Sequence, residues 1–328
     1  MKDFQNIKKV TVLLLLLLLQ SNITKACNKN PFCNNYKEYD FFCDLCSCST
    51  SSGSLGFGTL SNKNFIGIRY VYQNFESKNG IFDNSPITKE HFNTYQLWAQ
   101  IPLSENFFVS ANLPYQNLKR IGIDGNETIK GLGDISIVGW YKLIFYKKQK
   151  DQPILADKEA SGHSLKFGLG VKLPTGKFEE ELSDNINPGF QVGTGSFDGV
   201  FSLGYSYRKS KYGVNTLLSY YLKGENKNQY QFGNQFSYNA NFYGVFSTKK
   251  MGIMPFIGVS GDVYNQITQY NETINDTNGS VLSASLGSEL AVDKFVFGTS
   301  YSVPLRQHLF GDNVRSKQQL SVYINYAL

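Results

Sequence analysis

The sequence predicts an all-β protein, a transmembrane antiparallel β-barrel of about 12 strands closed by its C-terminal strand. From Asn64 onward, residues alternate apolar and polar with period two through twelve stretches, the mark of strands with one apolar and one polar face. Short polar links alternate with longer ones, as in barrels whose strands are joined by tight turns at one end and loops at the other. The chain also runs out on an alternating strand, "SVYINYAL" (Ser321–Leu328), with no polar tail after it.

The elements follow in order. Lys8 and Lys9 precede the apolar run Val10–Leu19. That run is too short for a membrane-spanning helix, which needs about 20 apolar residues. A basic start, a short apolar core and the small residue Ala26 read as a secretory signal peptide over residues 1–26, cleaved before Cys27. Its loss lowers the formal charge from +6 to +3, because Lys2, Lys8, Lys9, Lys25 and Asp3 leave with it. The remaining chain gives no electrostatic case for nucleic-acid binding.

Residues 27–63 form a Cys-rich segment expected in the periplasm. All five cysteines (Cys27, Cys33, Cys43, Cys46, Cys48) lie in it, and an oxidising compartment suits such crowding. Three readings stand side by side. The cysteines form disulfides, or Cys43, Cys46 and Cys48 chelate a soft metal, or Cys27 carries a lipid anchor. No second Cys-x-x-Cys or paired His completes a zinc set, and no cofactor is expected.

Residues 64–328 form the barrel. Its apolar faces begin Ile66/Ile68/Tyr70/Tyr72, then Tyr95/Leu97/Ala99/Ile101, Phe107/Val109/Ala111/Leu113/Tyr115 and Ile135/Ile137/Gly139/Tyr141/Leu143. Leu165/Phe167/Leu169/Val171/Leu173, Phe197/Phe201/Leu203/Tyr205/Tyr207, Val214/Thr216/Leu218/Tyr220 and Phe236/Tyr238/Ala240/Phe242/Phe246 continue the series. Ile253/Ile257/Val259/Val263, Leu282/Ala284/Leu286/Leu290, Phe295/Phe297/Tyr301/Val303 and Leu320/Val322/Ile324/Tyr326/Leu328 complete it. The opposite faces are wet, and Arg69, Gln96, Asn112, Asp134, Lys142, Lys166, Lys172, Asp198, Asp262 and Glu289 are the expected lumen-lining residues.

A soluble β-sandwich or solenoid would bury the apolar faces and expose the polar ones, whereas a membrane barrel does the reverse. The links favour the barrel. Ser104–Asn106, Arg208–Lys211, Ser247–Gly252 and Val292–Lys294 are short, while 76–90, 117–131, 174–196, 223–230, 264–280 and 304–318 are longer and polar. Tyrosines near strand ends, such as Tyr70, Tyr115, Tyr141 and Tyr205, suit girdles at the lipid–water boundary. One link breaks the pattern. Lys147–Ser164 is long yet falls on the short-turn side, as an insertion or as a sign that the strand count is off by two.

Four stretches occur together: "CDLCSCS", "GLGDISIVGWYKL", "GLGVKLPTGKF" and "NPGFQVGTGSFDGVFSLGYSY". With their Gly131/Gly133/Asp134, Leu173-Pro174-Thr175-Gly176 and Gly193–Ser196 motifs, they resemble transporter-like outer-membrane proteins of gram-negative bacteria grouped with the phenol-degradation MetA-pathway family. The resemblance runs from about residue 43 to the end. It implies an outer-membrane barrel labelled a transporter, without an established substrate and without catalytic residues to carry over.

The glycine motifs complete neither GxGxxG nor GxxxxGK[ST], and no helix follows them. Glycine relieving backbone strain at loop-to-strand junctions is the better reading. Outer-membrane phospholipases also use twelve-stranded barrels, with a Ser/His pair. Here no motif sets a serine beside His91, His163 or His308, so the chain is not expected to be an enzyme.

The expected function is an outer-membrane channel or facilitator for small molecules. The alternative is a non-transporting structural or adhesive barrel acting through its loops. Four inward cations (Arg69, Lys142, Lys166, Lys172) face four inward acids (Asp134, Asp198, Asp262, Glu289), so little ion selectivity is expected beyond local rings. The inward Trp98, Trp140, Tyr221, Tyr243 and Tyr323 would narrow the path and could stack on an aromatic or sugar solute. Expected partners are outer-membrane lipid, the solute, and the barrel assembly machinery through the C-terminal strand.

Overall fold

The computed structural model describes residues 64–78, 86–123, 125–145, 162–182, 185–186, 189–247 and 251–328. The signal peptide, the Cys-rich segment with its candidate ligands Cys43, Cys46 and Cys48, and residues 147–161 of the anomalous link lie outside them.

Twelve long strands make the wall: β1 (Phe65–Lys78), β2 (Ile87–Pro102), β3 (Phe107–Gly122), β4 (Ile135–Ile144), β5 (Gly162–Leu173) and β6 (Asp198–Lys209). They continue with β7 (Tyr212–Leu222), β8 (Gln235–Gly244), β9 (Met251–Tyr264), β10 (Gly279–Val292), β11 (Phe295–Leu309) and β12 (Val314–Ala327). Each pairs antiparallel with its sequence neighbours, and β8 pairs with both β7 and β9. The ring closes where β1 meets β12, from Phe65↔Ala327 to Ser77↔Val314. Closure leaves no row of unpaired N–H and C=O groups, which a sheet in lipid cannot tolerate. Apart from Phe197, Phe246 and Leu328, which lie just beyond strand ends, the apolar residues read from the sequence belong to these strands. The Lys147–Ser164 link does not alter the count, since β4 pairs directly with β5, from Ile135↔Leu173 to Ile144↔Ser164.

Alternation fixes which way each side chain points. On β2, Gln96 is fully buried while Leu97 is 53% exposed. The same inversion recurs around the wall, with Ile68, Phe167, Leu169, Ile257 and Leu286 among the exposed residues and Arg69, Asn112, Asp198 and Glu289 among the buried. An apolar belt outside a polar interior is the arrangement that lipid selects and water does not.

The strands run further than their apolar faces. Residues 87–90, 117–122 and 314–318, expected as loop, are strand. Beyond the lipid both faces of a strand are mixed in polarity, so the alternation that reveals it fades while the ladder continues. Gly125–Leu132 folds back on β3 as a hairpin arm, from Tyr115↔Leu132 to Gly122↔Gly125. In the 223–230 and 264–280 links, Tyr230–Gln231, Thr268–Gln269 and Glu272–Thr273 form a small three-stranded sheet. The last two are joined by Tyr270 and Asn271, both at positive φ (53° and 63°), as a type I′ turn requires.

Candidate functional site

The barrel interior is built from the inward positions of all twelve strands. Of the ten residues expected there, Arg69, Gln96, Asn112, Asp134, Lys172, Asp198, Asp262 and Glu289 are buried, and Lys142 and Lys166 are half-buried. Their surroundings differ with height.

Toward the short-turn end, aromatic side chains cross the interior over glycines. Arg69 donates from Nε to Gln96 Oε1 and lies 4.4 Å above the Trp98 ring. Trp98 in turn meets Phe65 and Tyr323 edge-on, at centroid distances of 4.7 and 5.4 Å. Tyr323 donates to Glu289 Oε1 at 2.5 Å and lies over Gly298 of β11. Trp140 stacks on Phe108 and covers Gly168, where a Cβ would come within 2.7 Å of the ring. Tyr243 does the same over Gly213, at 2.5 Å. Large rings fit inside a twelve-stranded wall because the next strand offers no side chain beneath them.

Toward the long-loop end, the three glycine motifs converge on one carboxylate. Asp134 Oδ1 accepts from the Gly176 N–H at 2.9 Å, and Oδ2 accepts from Thr194 N–H (2.9 Å) and Thr194 Oγ1 (2.7 Å). Lys172 Nζ lies 2.8 Å from Asp134 Oδ2 and 3.2 Å from Asp198 Oδ2, and also donates to Thr194 Oγ1. Lys223 reaches the same Asp198 oxygen at 3.3 Å, and Ser196 Oγ and the Gly224 N–H donate to Asp198 Oδ1 at 3.0 and 3.1 Å. All four charged side chains are buried. Buried charges persist only when paired and hydrogen-bonded, and this knot meets both conditions.

The glycines make the approach possible. A Cβ on Gly193 would stand 2.5 Å from the Gly176 carbonyl carbon, and one on Gly176 would stand 2.8 Å from Gly193 Cα. Gly195 sits at φ 70° under the Phe178 ring, a conformation that other residues resist. The motifs therefore clamp the 174–196 link to the wall.

Near the knot lies an apolar cluster, most of whose members fall in links expected to be polar; Phe75, Phe92 and Phe232 lie outside those links. Phe75, Phe92, Leu118 and Ile129 from the strands and the hairpin arm pack with Phe190, Val192, Tyr230, Phe232, Ile267, Leu309, Phe310 and Val314. Phe92 and Leu118 were legible in one respect, since they keep the inward phase of Gln96 and Asn112. Arg120 lies 4.2 Å over the Phe190 ring and is bound to Glu90, with Nε 3.0 Å from Oε1. The 174–196 and 223–230 links also meet at the surface, where Lys227 and Asn228 hydrogen-bond to Glu179 and hold its carboxyl below its ordinary pKa.

The histidines pair elsewhere. His91 Nδ1 meets Tyr72 Oη at 2.9 Å, His163 meets Tyr205 Oη at 2.7 Å, and His308 meets Asp312 at 2.7 Å. Among the described residues, no group of three or more His, Cys, Asp or Glu could hold a metal.

Comparison with known proteins bears on this arrangement. The family described as "Putative MetA-pathway of phenol degradation" matches residues 88–314, a span that includes the whole knot. No curated protein sequence matches the chain. Among solved structures, an outer membrane channel from Pseudomonas putida F1 is similar, with a TM-score of 0.56 and 13% identity over 83% of this chain and 98% of that one. The transport unit of the autotransporter AIDA-I from Escherichia coli has a TM-score of 0.47 and 11% identity over 84% and 95%. With its glycine motifs gathered on Asp134 inside a closed twelve-stranded wall, the chain belongs to the MetA-pathway phenol-degradation family of β-barrel proteins.

Proposed function

We propose that this protein is an outer-membrane channel or facilitator for small molecules, with its short-turn end in the periplasm. The observation that carries the reading is the inverted wall. An exposed apolar belt surrounds an interior of Arg69, Gln96, Asn112, Gln116, Ser202 and Glu289, a polar conduit inside a lipid-facing cylinder. The similar fold of a Pseudomonas putida channel supports it. The ten inward residues are the proposed lining, and the aromatic rings above Gly168, Gly213 and Gly298 set its bore. Export rests on the signal peptide, and insertion on reading of the C-terminal strand by the assembly machinery.

The test is uptake. Proteoliposomes holding the purified barrel should admit some members of a panel of sugars, amino acids and small aromatics. A second reading, a closed barrel acting through its loops, draws support from the apolar cluster at the long-loop end. It predicts no uptake at all, with partner binding lost on deletion of residues 174–196 or 264–280.

A further inference from the structure

The outer surface changes character toward the long-loop ends of β11, β12, β1, β2 and β3. Tyr70, Tyr95 and Tyr115 stand side by side in one cross-strand row, in the outward phase of exposed Ile68 and Leu97. Tyr70 Oη donates to Asn93 Oδ1 at 2.7 Å, and Tyr301 Oη of β11 donates to Gln318 Oε1 of β12 at 3.1 Å. Both acceptors lie one step closer to the long loops. Rings with an apolar body and a hydrogen-bonded tip mark a lipid–water boundary.

Just beyond that boundary the exposed side chains are basic. Lys89 lies between buried Thr88 and Glu90, and Lys119 between buried Leu118 and Arg120, so both point outward. Lys130 is exposed beside buried Ile129 on the hairpin arm. Two bulges turn further cations out. On β12, Asn74↔Gln318 is followed by Phe75↔Ser316, which makes Lys317 the extra residue and sets Arg315 outward while Val314 goes in. On β11, Ser283↔Pro304 is followed by Leu282↔Arg306, so Arg306 faces out and Leu309 in. Bulges re-aim side chains in this way. Without them Arg306 and Arg315 would keep the inward phase of Ser302 and Ser321.

Among the described residues of these outward faces, Glu76 is the one acid, and Lys317 takes it at 2.7 Å. Glu90 and Glu127 belong to the inward side, with Arg120. Even with the turn acids Asp83, Asp124 and Asp312 all set against them, six cations meet four acids. The excess therefore does not depend on any one lysine lacking a partner.

We infer that this basic band binds the phosphates of the glycolipid that forms the outer leaflet of the membrane, with Lys89, Lys119 and Arg315 as its contacts. It rests on the orientation of the channel reading, long loops outward, and not on conduction. Height decides the partner. A soluble acidic partner would approach the loop tips, whereas side chains pointing sideways just above the tyrosines meet lipid headgroups. Lysine and arginine hold phosphate by charge-assisted hydrogen bonds. The strand spacings from β11 to β3 span roughly 20 Å, room for a headgroup with two phosphates rather than one.

The experiment mixes purified barrel in detergent with diphosphoryl lipid A, phosphatidylglycerol or phosphatidylethanolamine and counts bound lipid by native mass spectrometry. The wild type should retain lipid A in preference to both phospholipids. K89Q/K119Q/R315Q should weaken that retention roughly tenfold or more, since each cation near an anionic surface contributes several-fold. K209Q/K211Q removes exposed cations from the short-turn end and should leave it unchanged. Heat-modified electrophoretic mobility checks that each variant barrel closes. Equal retention of phosphatidylglycerol and lipid A, or undiminished lipid A binding by K89Q/K119Q/R315Q, overturns the inference. An equal loss in K209Q/K211Q overturns it too, because net charge alone would then explain the binding. None of these outcomes touches solute passage, which the uptake panel reads separately.

Discussion

Lys172 Nζ lies 2.8 Å from the Asp134 carboxylate, with both side chains almost wholly removed from solvent. The pair joins the start of one barrel strand to the end of the next, and through Thr194 it draws the 174–196 link onto the wall. Attraction between buried charges is offset by their desolvation, so the pair is not itself a large source of stability. Breaking it is another matter.

Lys172→Met would leave Asp134 without its cation and Asp198 with Lys223 alone. Unfolding by urea in detergent micelles should show a loss of about 3–5 kcal/mol. A D134N/K172M double variant should lose clearly less than the sum of the single changes, because the two residues share one network. A loss for Lys172→Met below about 1 kcal/mol would place the pair among exposed salt bridges and remove the knot from the account.

Gly193→Ala sets a methyl group against the Gly176 backbone, which cannot rotate away as a side chain could. The strain is local, of order 1–3 kcal/mol. It should appear as faster proteolysis within residues 174–196 while the barrel itself remains resistant. Equal protection of that link in both proteins would show that the close crossing does not hold it down.

The lipid face can be probed by depth. Leu169 is exposed in mid-strand on β5, while Ile101 is exposed one residue before the end of β2. Arginine at 169 should cost about 2–4 kcal/mol of folding free energy in lipid vesicles, and at 101 about 0–1. Equal penalties at both positions would contradict a membrane crossing along these strands.

Much of this was legible because a barrel wall obeys one rule repeatedly. Lipid outside and polar groups inside force period two, so Leu97 and Gln96 declare their faces without any tertiary information. The strand count and the β1–β12 seam follow from that rule and from closure. The knot was legible only as motifs. Glycines at 176 and 193 marked junctions, but nothing in their spacing shows that the two backbones cross beside Asp134. The apolar cluster was hidden for a different reason. Its members come a few at a time from strands and several links, Phe190 and Val192 from one, Ile267 from another and Phe310 from a third. A lone phenylalanine among polar residues carries no period. The charge balance shows a further limit, since counting inward residues cannot reveal that Lys142 and Lys166 are direct cross-strand neighbours.

The seam offers another test. Tyr326 and Ala327 pair with Ile66 and Phe65 of β1, Tyr326 also meets the Phe295 ring edge-on at 5.5 Å, and the Leu328 N–H donates to the Asn64 carbonyl at 3.1 Å. Deleting residues 326–328 should abolish the heat-modifiable barrel band in outer membranes. Normal insertion of the shortened chain would show that closure does not depend on this end of β12.

Solute entry into proteoliposomes tests the central claim most directly. Purified barrel reconstituted in lipid should admit at least some sugars, amino acids or small aromatics at rates well above protein-free vesicles, with discrete current steps in planar bilayers. Exclusion of the whole panel together with silent bilayers would contradict the channel and leave a closed barrel that acts through its loops.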